Sequence, residues 1–180
     1  MIEGKTVLAV IPARGGSKRV PRKNLKDFRG RPLILWSITE ARKSKYIDIL
    51  AVSSEDREIQ LLSSPLTTVI HRPHHLAEDD STSEDVLLHA LTVYSLDWVV
   101  LLQPTSPLRT VEDIDGCIER AQLGEVCISV DWETRKTNGA IYVCKADWLK
   151  AHNFRDVATM KYVMPKERGL DINDPCDFEA

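Results

Sequence analysis

The chain has 180 residues, 43% of them hydrophobic and 28% charged, with a formal net charge of -3. That length suits one domain, residues 1–180, with a full core, and that balance excludes a disordered or membrane-embedded chain. No apolar run approaches the ~18 residues of a spanning helix, and the opening "MIEGKTVLAV" lacks a secretory segment, so a cytoplasmic protein without membrane partners is expected.

"KTVLAVI", Lys5 to Ile11, predicts a buried strand. It runs into "VIPARGGSKRVPRKNLKDFRGR", Val10 to Arg31, where eight Lys and Arg face one acid, Asp27, while the rest of the chain has 16 bases against 26 acids. Such a concentration of positive charge attracts a compact anion. Gly15, Gly16 and Ser17 allow a tight turn with N–H groups directed into one concavity, and Arg14, Lys18 and Lys23 add charge-assisted bonds to the same phosphates. The loop is neither a Walker A sequence, which needs an earlier glycine near Ile11, nor G-x-G-x-x-G, which fails at Ser17. A solvated basic turn remains an alternative. RNA binding is disfavoured, because Phe28 is the one aromatic among these cations.

"PLILWSITEARKS" predicts a helix with Pro32 in its first turn and Leu33, Trp36 and Ala41 toward one face. "DILAVS" and "TTVI" predict short strands. His71, His74 and His75 follow in "HRPHHL" and, without a nearby Cys or H-E-x-x-H pattern, read as loop residues in preference to zinc ligands. "TSEDVLLHALTVY" predicts a capped helix burying Val86, Leu87, Ala90, Leu91 and Tyr94. After the strand "WVVLLQ" comes "TVEDIDGCIERAQLG", a helix stopping at Gly124. "VCISV" and "NGAIYVC" predict strands, and "ATMKYVM" another. Cys117, Cys127, Cys144 and Cys176 form no C-x-x-C pair and read as core thiols in a reducing compartment.

This alternation implies an α/β fold, a mainly parallel sheet with helices on both faces. Ligands bind such sheets outside the carboxyl ends of the strands, where the basic loop and "QPTSPLR", Gln103 to Arg109, both leave. The closing "GLDINDPCDFEA" offers hard oxygen ligands for Mg2+, with Asp171 assigned to metal. A helix start explains the rest: Asp174 as cap, Pro175 first, Asp177 favourable to the dipole.

Five segments in order, "IPARGGSKRVPRKNLKDFRGRPLI", "RPHHLAEDDSTSEDVLLHAL", "LLQPTSPLRTVEDI", "TNGAIYV" and "GLDINDPCDF", together resemble the acylneuraminate cytidylyltransferases, the CMP-sialic acid synthetase family. The resemblance implies a Rossmann-like nucleotidyltransferase of the nucleotide-diphospho-sugar transferase type. It would join CMP from CTP to the anomeric hydroxyl of an acidic sugar, release pyrophosphate and require Mg2+. Arg14, Gly16, Ser17, Lys18, Lys23 and Asn24 match the family's nucleotide signature, with Lys23 placed to stabilise the α-phosphate transition state. Arg72 and Ser83 match positions near the cytidine, beside Asp79 and Asp80. Gln103 matches an acceptor-side contact, and Asn138 and Tyr142 the sugar side, where Lys136 replaces a usual Arg. Asn173 stands beside Asp171 where the family has a second carboxylate. The stretch from Arg109 to Asn138 is short, abbreviating around 124–138 the excursion by which relatives form homodimers. The chain also stops before the usual last helix.

Overall fold

A computed structural model of the chain describes residues 1–154 and 160–180. The opening strand β1 (Val7–Pro12) turns Val7, Ala9 and Ile11 to one face and Leu8 and Val10 to the other, into two separate buried clusters. Burial on both faces is why its sequence is continuously apolar instead of alternating. The same holds for β6 (Trp98–Leu102), buried throughout.

Between them the chain forms the hairpin β2 (Asp27–Phe28) and β3 (Arg31–Pro32), helix α1 (Leu33–Ala41), β4 (Ile49–Ser54), α2 (Arg57–Ser63), β5 (Thr68–His71) and α3 (Ser83–Val93). After β6 come α4 (Val111–Ala121), β7 (Val126–Val130), β8 (Thr137–Lys145), α5 (Ala146–Ala151) and β9 (Met160–Val163). The sheet order is β5-β4-β1-β6-β8-β7-β9. Within this seven-stranded sheet, among the described residues, every pairing is parallel except the two made by β8, which runs against the other strands. A mainly parallel α/β sheet is therefore present as expected.

Helices α1, α2 and α4 cover one face through Ile34, Ile38, Ile59, Ile114 and Ile118. Helices α3 and α5 cover the other through Val86, Leu87, Ala90, Trp148 and Leu149. The start of α3 is a capping box in which Thr82 and Asp85 exchange hydrogen bonds at 3.1 Å each way. Pro32 sits at the cap of α1 instead of inside its first turn.

Three features were not anticipated: α2, α5 and the β2–β3 hairpin. The hairpin turns at Arg29 (φ 50°) and Gly30 (φ 91°), two successive left-handed residues of the kind that close a tight two-residue loop. It carries Phe28 into a third cluster with Leu33 and Ile172, joined by Trp36, Leu170 and Phe178. That cluster fastens the C-terminal segment beneath the basic loop. Of the strand expected at "ATMKYVM", Met160 to Val163 form β9, while Ala158 and Thr159 lie outside the described residues.

Candidate functional site

The loops leaving β1 and β6 at their carboxyl ends enclose a cleft of about 410 Å³. Arg14, Gly16, Ser17, Lys18, Lys23 and Asn24 reach it from the basic loop, Arg72 from the end of β5, and Gln103 from the end of β6. Residues distant in sequence thus converge where the sheet opens.

The cations are arranged around specific partners. Arg14 donates to the carbonyl of Glu78 at 3.2 Å and pairs with Asp79 at 3.0 Å. Lys18 pairs with the other oxygen of the same carboxylate. Asp79 therefore bridges two cations on the cleft wall, and chiefly the Lys18 hydrogen bond, with Arg14 adding to it, holds its carboxyl below the usual carboxylate range. Arg72 is nearly buried and donates to Ser53 Oγ at 3.1 Å and to the Ser53 carbonyl at 2.5 Å. Burial lowers its pKa to about 10, against the opposing pull of Glu55. Lys23 donates to the carbonyl of Ile172 at 3.0 Å, and partial burial lowers its pKa while Asp171 works the other way.

Not every expected residue faces the cleft. Gly15 turns away: its N–H donates to Glu55 Oε1 at 2.7 Å, and a Cβ there would fall 2.5 Å from the Asp56 carboxylate. Its missing side chain serves close approach to the β4–α2 turn, not a left-handed turn, and the phosphate-facing N–H groups expected of this loop reduce to those beyond Gly15. Asn24 does line the cleft, but its amide is spent on the Arg14 carbonyl at 3.0 Å. Asp80 lines a neighbouring acidic hollow with Glu84 and Asp85. Ser83 and Tyr142 line a separate hollow of about 280 Å³, where Tyr142 meets Thr137 at 3.1 Å. Asn138 is committed within the sheet, accepting from Ser129 at 2.6 Å, and Lys136 is exposed in the short β7–β8 turn.

At the C-terminal flank, Asn173 Nδ2 donates to Asp171 Oδ2 at 2.6 Å, while its Oδ1 accepts from Arg19 at 3.3 Å. No trio of His, Cys, Asp and Glu able to hold a metal occurs among the described residues. Asp171 and Asn173 do offer neighbouring hard oxygens, a donor set that suits Mg2+ when phosphate oxygens and water complete its shell. Asp177 accepts from the N–H groups of Asn173 and Asp174, each at 2.7 Å, so the short helical turn Pro175–Glu179 starts at Asp174 as the residues required.

Nothing local in the sequence marks Arg109, which is fully buried and donates to the carbonyls of Gln103 at 3.1 Å and Ala140 at 2.7 Å and to Ser37 Oγ at 2.7 Å. It clamps the mouth of β6 to β8, and burial lowers its pKa to about 10. Arg19, a cleft residue, and Glu55 were also missed. For Glu55 a signal existed: two acids, Glu55 and Asp56, stand one residue past the predicted strand "DILAVS", at the same carboxyl end of the sheet from which the basic loop emerges.

Residues 8–144 match the family model described as cytidylyltransferase. The N-acylneuraminate cytidylyltransferase of Escherichia coli O18:K1:H7 is 28% identical over 211 residues, covering 96% of this chain and 50% of that protein. A pseudaminic acid cytidylyltransferase of Campylobacter jejuni is 40% identical over 120 residues, covering 63% of this chain and 52% of its own length. The chain thus spans about half the length of the curated relatives it matches. Among solved structures, a CMP:2-keto-3-deoxy-manno-octonic acid synthetase complexed with CTP superposes with a TM-score of 0.78 at 16% identity, covering 97% of this chain and 95% of that one. That likeness concerns the fold. No helix among the described residues is long and apolar enough to cross a membrane.

Proposed function

Because the chain belongs to the cytidylyltransferase family, we propose that it transfers CMP from CTP to the anomeric hydroxyl of an acidic sugar, releasing pyrophosphate. One observation carries this reading: Arg14, Lys18, Lys23 and Arg72 converge on a single cleft at the carboxyl end of a parallel sheet. With Arg19 these make five cations around one hollow in a chain of net charge -3, which match a triphosphate better than any neutral ligand.

In this mechanism Arg14, Lys18 and the N–H groups of Gly16 and Ser17 hold the β- and γ-phosphates. The sugar oxygen attacks the α-phosphorus in line, and Lys23 faces the charge that builds there. An ammonium that is partly withdrawn from water stabilises such charge more strongly than an exposed one. Arg72, fixed by Ser53, bounds the cytidine side, and Gln103 the acceptor side. Asp171 and Asn173 would hold Mg2+, which when bound supplies charge to the departing pyrophosphate. We assign the acceptor to nine-carbon acidic sugars of the N-acylneuraminate type, with eight-carbon ulosonates next; relatives named for both kinds support the class.

The Asn173–Asp171 hydrogen bond favours one second reading, a CTP-binding module without turnover, because it occupies the carboxylate a metal would use. Pyrophosphate release, measured with CTP, Mg2+ and a panel of acidic sugars, separates the two. Release that depends on one of the sugars supports transfer; CTP binding with no release on any sugar supports the module.

A further inference from the structure

We propose that Glu55 is a positioning residue for the phosphate-binding loop, an assignment that rests on the nucleotide reading above. The peptide unit joining Arg14 to Gly15 is held from both ends. Its carbonyl, on Arg14, accepts from Asn24 Nδ2 at 3.0 Å, and its N–H, on Gly15, donates to Glu55 Oε1 at 2.7 Å. Because the peptide unit is planar, holding both its ends restrains ψ of Arg14 and φ of Gly15, the two torsions that flank it. The backbone at Arg14, and the path on which the chain enters Gly16 and Ser17, are thereby restrained before any anion arrives.

Two further contacts make the arrangement rigid. Ala13 N–H donates to the Ser53 carbonyl at 3.0 Å, extending the β1–β4 ladder to the foot of the loop. Asp56, the cap of α2 and partner of Arg22, packs against Gly15 so closely that no Cβ fits between them. The Glu55 carboxylate also lies within the field of Arg72, and its Oε2 is buried with no hydrogen-bond partner among the described residues. An acceptor kept in that state, beside cations that a triphosphate requires, is unfavourable for anion binding by charge alone. Its benefit to binding has to come from the bond to Gly15.

Charge and geometry thus predict opposite signs, which gives the test. The full chain is titrated by calorimetry with inorganic pyrophosphate, CTP and cytidine. Glu55→Gln keeps an oxygen for Gly15 and removes the negative charge, and is expected to bind pyrophosphate at least as tightly as the unaltered chain. Glu55→Ala loses the bond and is expected to bind pyrophosphate and CTP about ten-fold more weakly, the scale of one charge-assisted hydrogen bond, with cytidine affinity kept. Equal or tighter pyrophosphate binding by Glu55→Ala overturns the assignment, as does an equal loss toward cytidine, which indicates general damage. If Glu55→Ala does not fold, Glu55→Asp keeps the charge but withdraws it by one methylene; unchanged pyrophosphate affinity there also overturns it. Failure of the unaltered chain to bind CTP or pyrophosphate is a different result, and removes the nucleotide reading together with this assignment.

Discussion

The Lys23 ammonium donates to the Ile172 carbonyl at 3.0 Å, joining the loop after β1 to a segment 149 residues further along the chain. Ile172 is fully buried and its own N–H donates to the Thr105 carbonyl at 2.7 Å, so one residue ties together the loops after β1 and β6. A carbonyl dipole places an ammonium without neutralising it. Lys23→Ala is expected to keep the fold, since the cluster of Phe28, Leu33 and Ile172 is untouched. Pyrophosphate release should fall by about 10² to 10³, the usual cost of one transition-state donor. Full activity in a folded Lys23→Ala chain would remove Lys23 from the mechanism.

The same residue sets a pH limit. Burial favours the neutral amine, and Arg19 and Arg14 add to that effect, so Lys23 titrates below the 10.5 of an ordinary lysine even though Asp171 opposes the shift. In the proposed mechanism the active form is the cation. As pH rises through that lowered value the cation is lost, and kcat/KM for CTP should decline earlier than an unshifted lysine would allow. In Lys23→Arg the charge persists and the alkaline limb should move upward, at reduced kcat because the guanidinium has another shape. A limb identical in both chains would assign it to a different group.

In the proposed site, Asp79 stands in competition with a triphosphate. Its carboxylate bridges Arg14 and Lys18, the two cations a triphosphate must engage. Its side chain is 51% exposed, so the pairs are screened and displacement is easy. Asp79→Asn is expected to tighten pyrophosphate binding by about two- to five-fold at low salt, with the gain fading as ionic strength rises, as exposed ion pairs do. Weaker binding in Asp79→Asn would indicate that Asp79 helps the ligand, by ordering the loop that Arg14 holds through the Glu78 carbonyl.

Much of this architecture could be read from residues alone. The strands with continuous apolar runs, from Val7 and from Trp98, appear where they were expected, because burial on both faces leaves an unambiguous pattern. Helix α3 was equally legible through its Thr82 cap and its spacing of apolar residues. Helix α2 was not: of its seven residues only Ile59 and Ser63 are buried, too few to set a period. In the site, charge and glycine content located the loop but not the orientation of its peptides. Gly15 and Asn24 face protein partners 40 and 10 residues away, which no local pattern encodes. Arg109 shows the same limit, since a cation that ends up fully buried among carbonyls looks like a surface residue in the sequence.

The support behind the cleft gives a last prediction. Asp113, near the start of α4, is fully buried and accepts two hydrogen bonds from Arg168, at 2.7 and 2.8 Å, and one from Tyr162 at 3.3 Å. Removing Arg168 leaves a buried carboxylate short of its partner, a loss of about 3–5 kcal/mol for such pairs. The lower end applies, because the Arg168 side chain remains 31% exposed. Urea unfolding of Arg168→Ala should report that loss, and pyrophosphate release should drop as well, since Arg168 leads directly into the segment that presents Asp171 and Ile172 to Lys23. Gly116→Ala tests the same packing from the other side. Helix propensity alone would stabilise it by about 1 kcal/mol, but its Cβ would fall 2.5 Å from the Tyr162 ring, which the Asp113 hydrogen bond holds in place. Overpacking typically costs about 1–3 kcal/mol, so the net effect should be destabilising. A more stable Gly116→Ala chain would mean that Tyr162 swings clear and that the Asp113 network does not fix it.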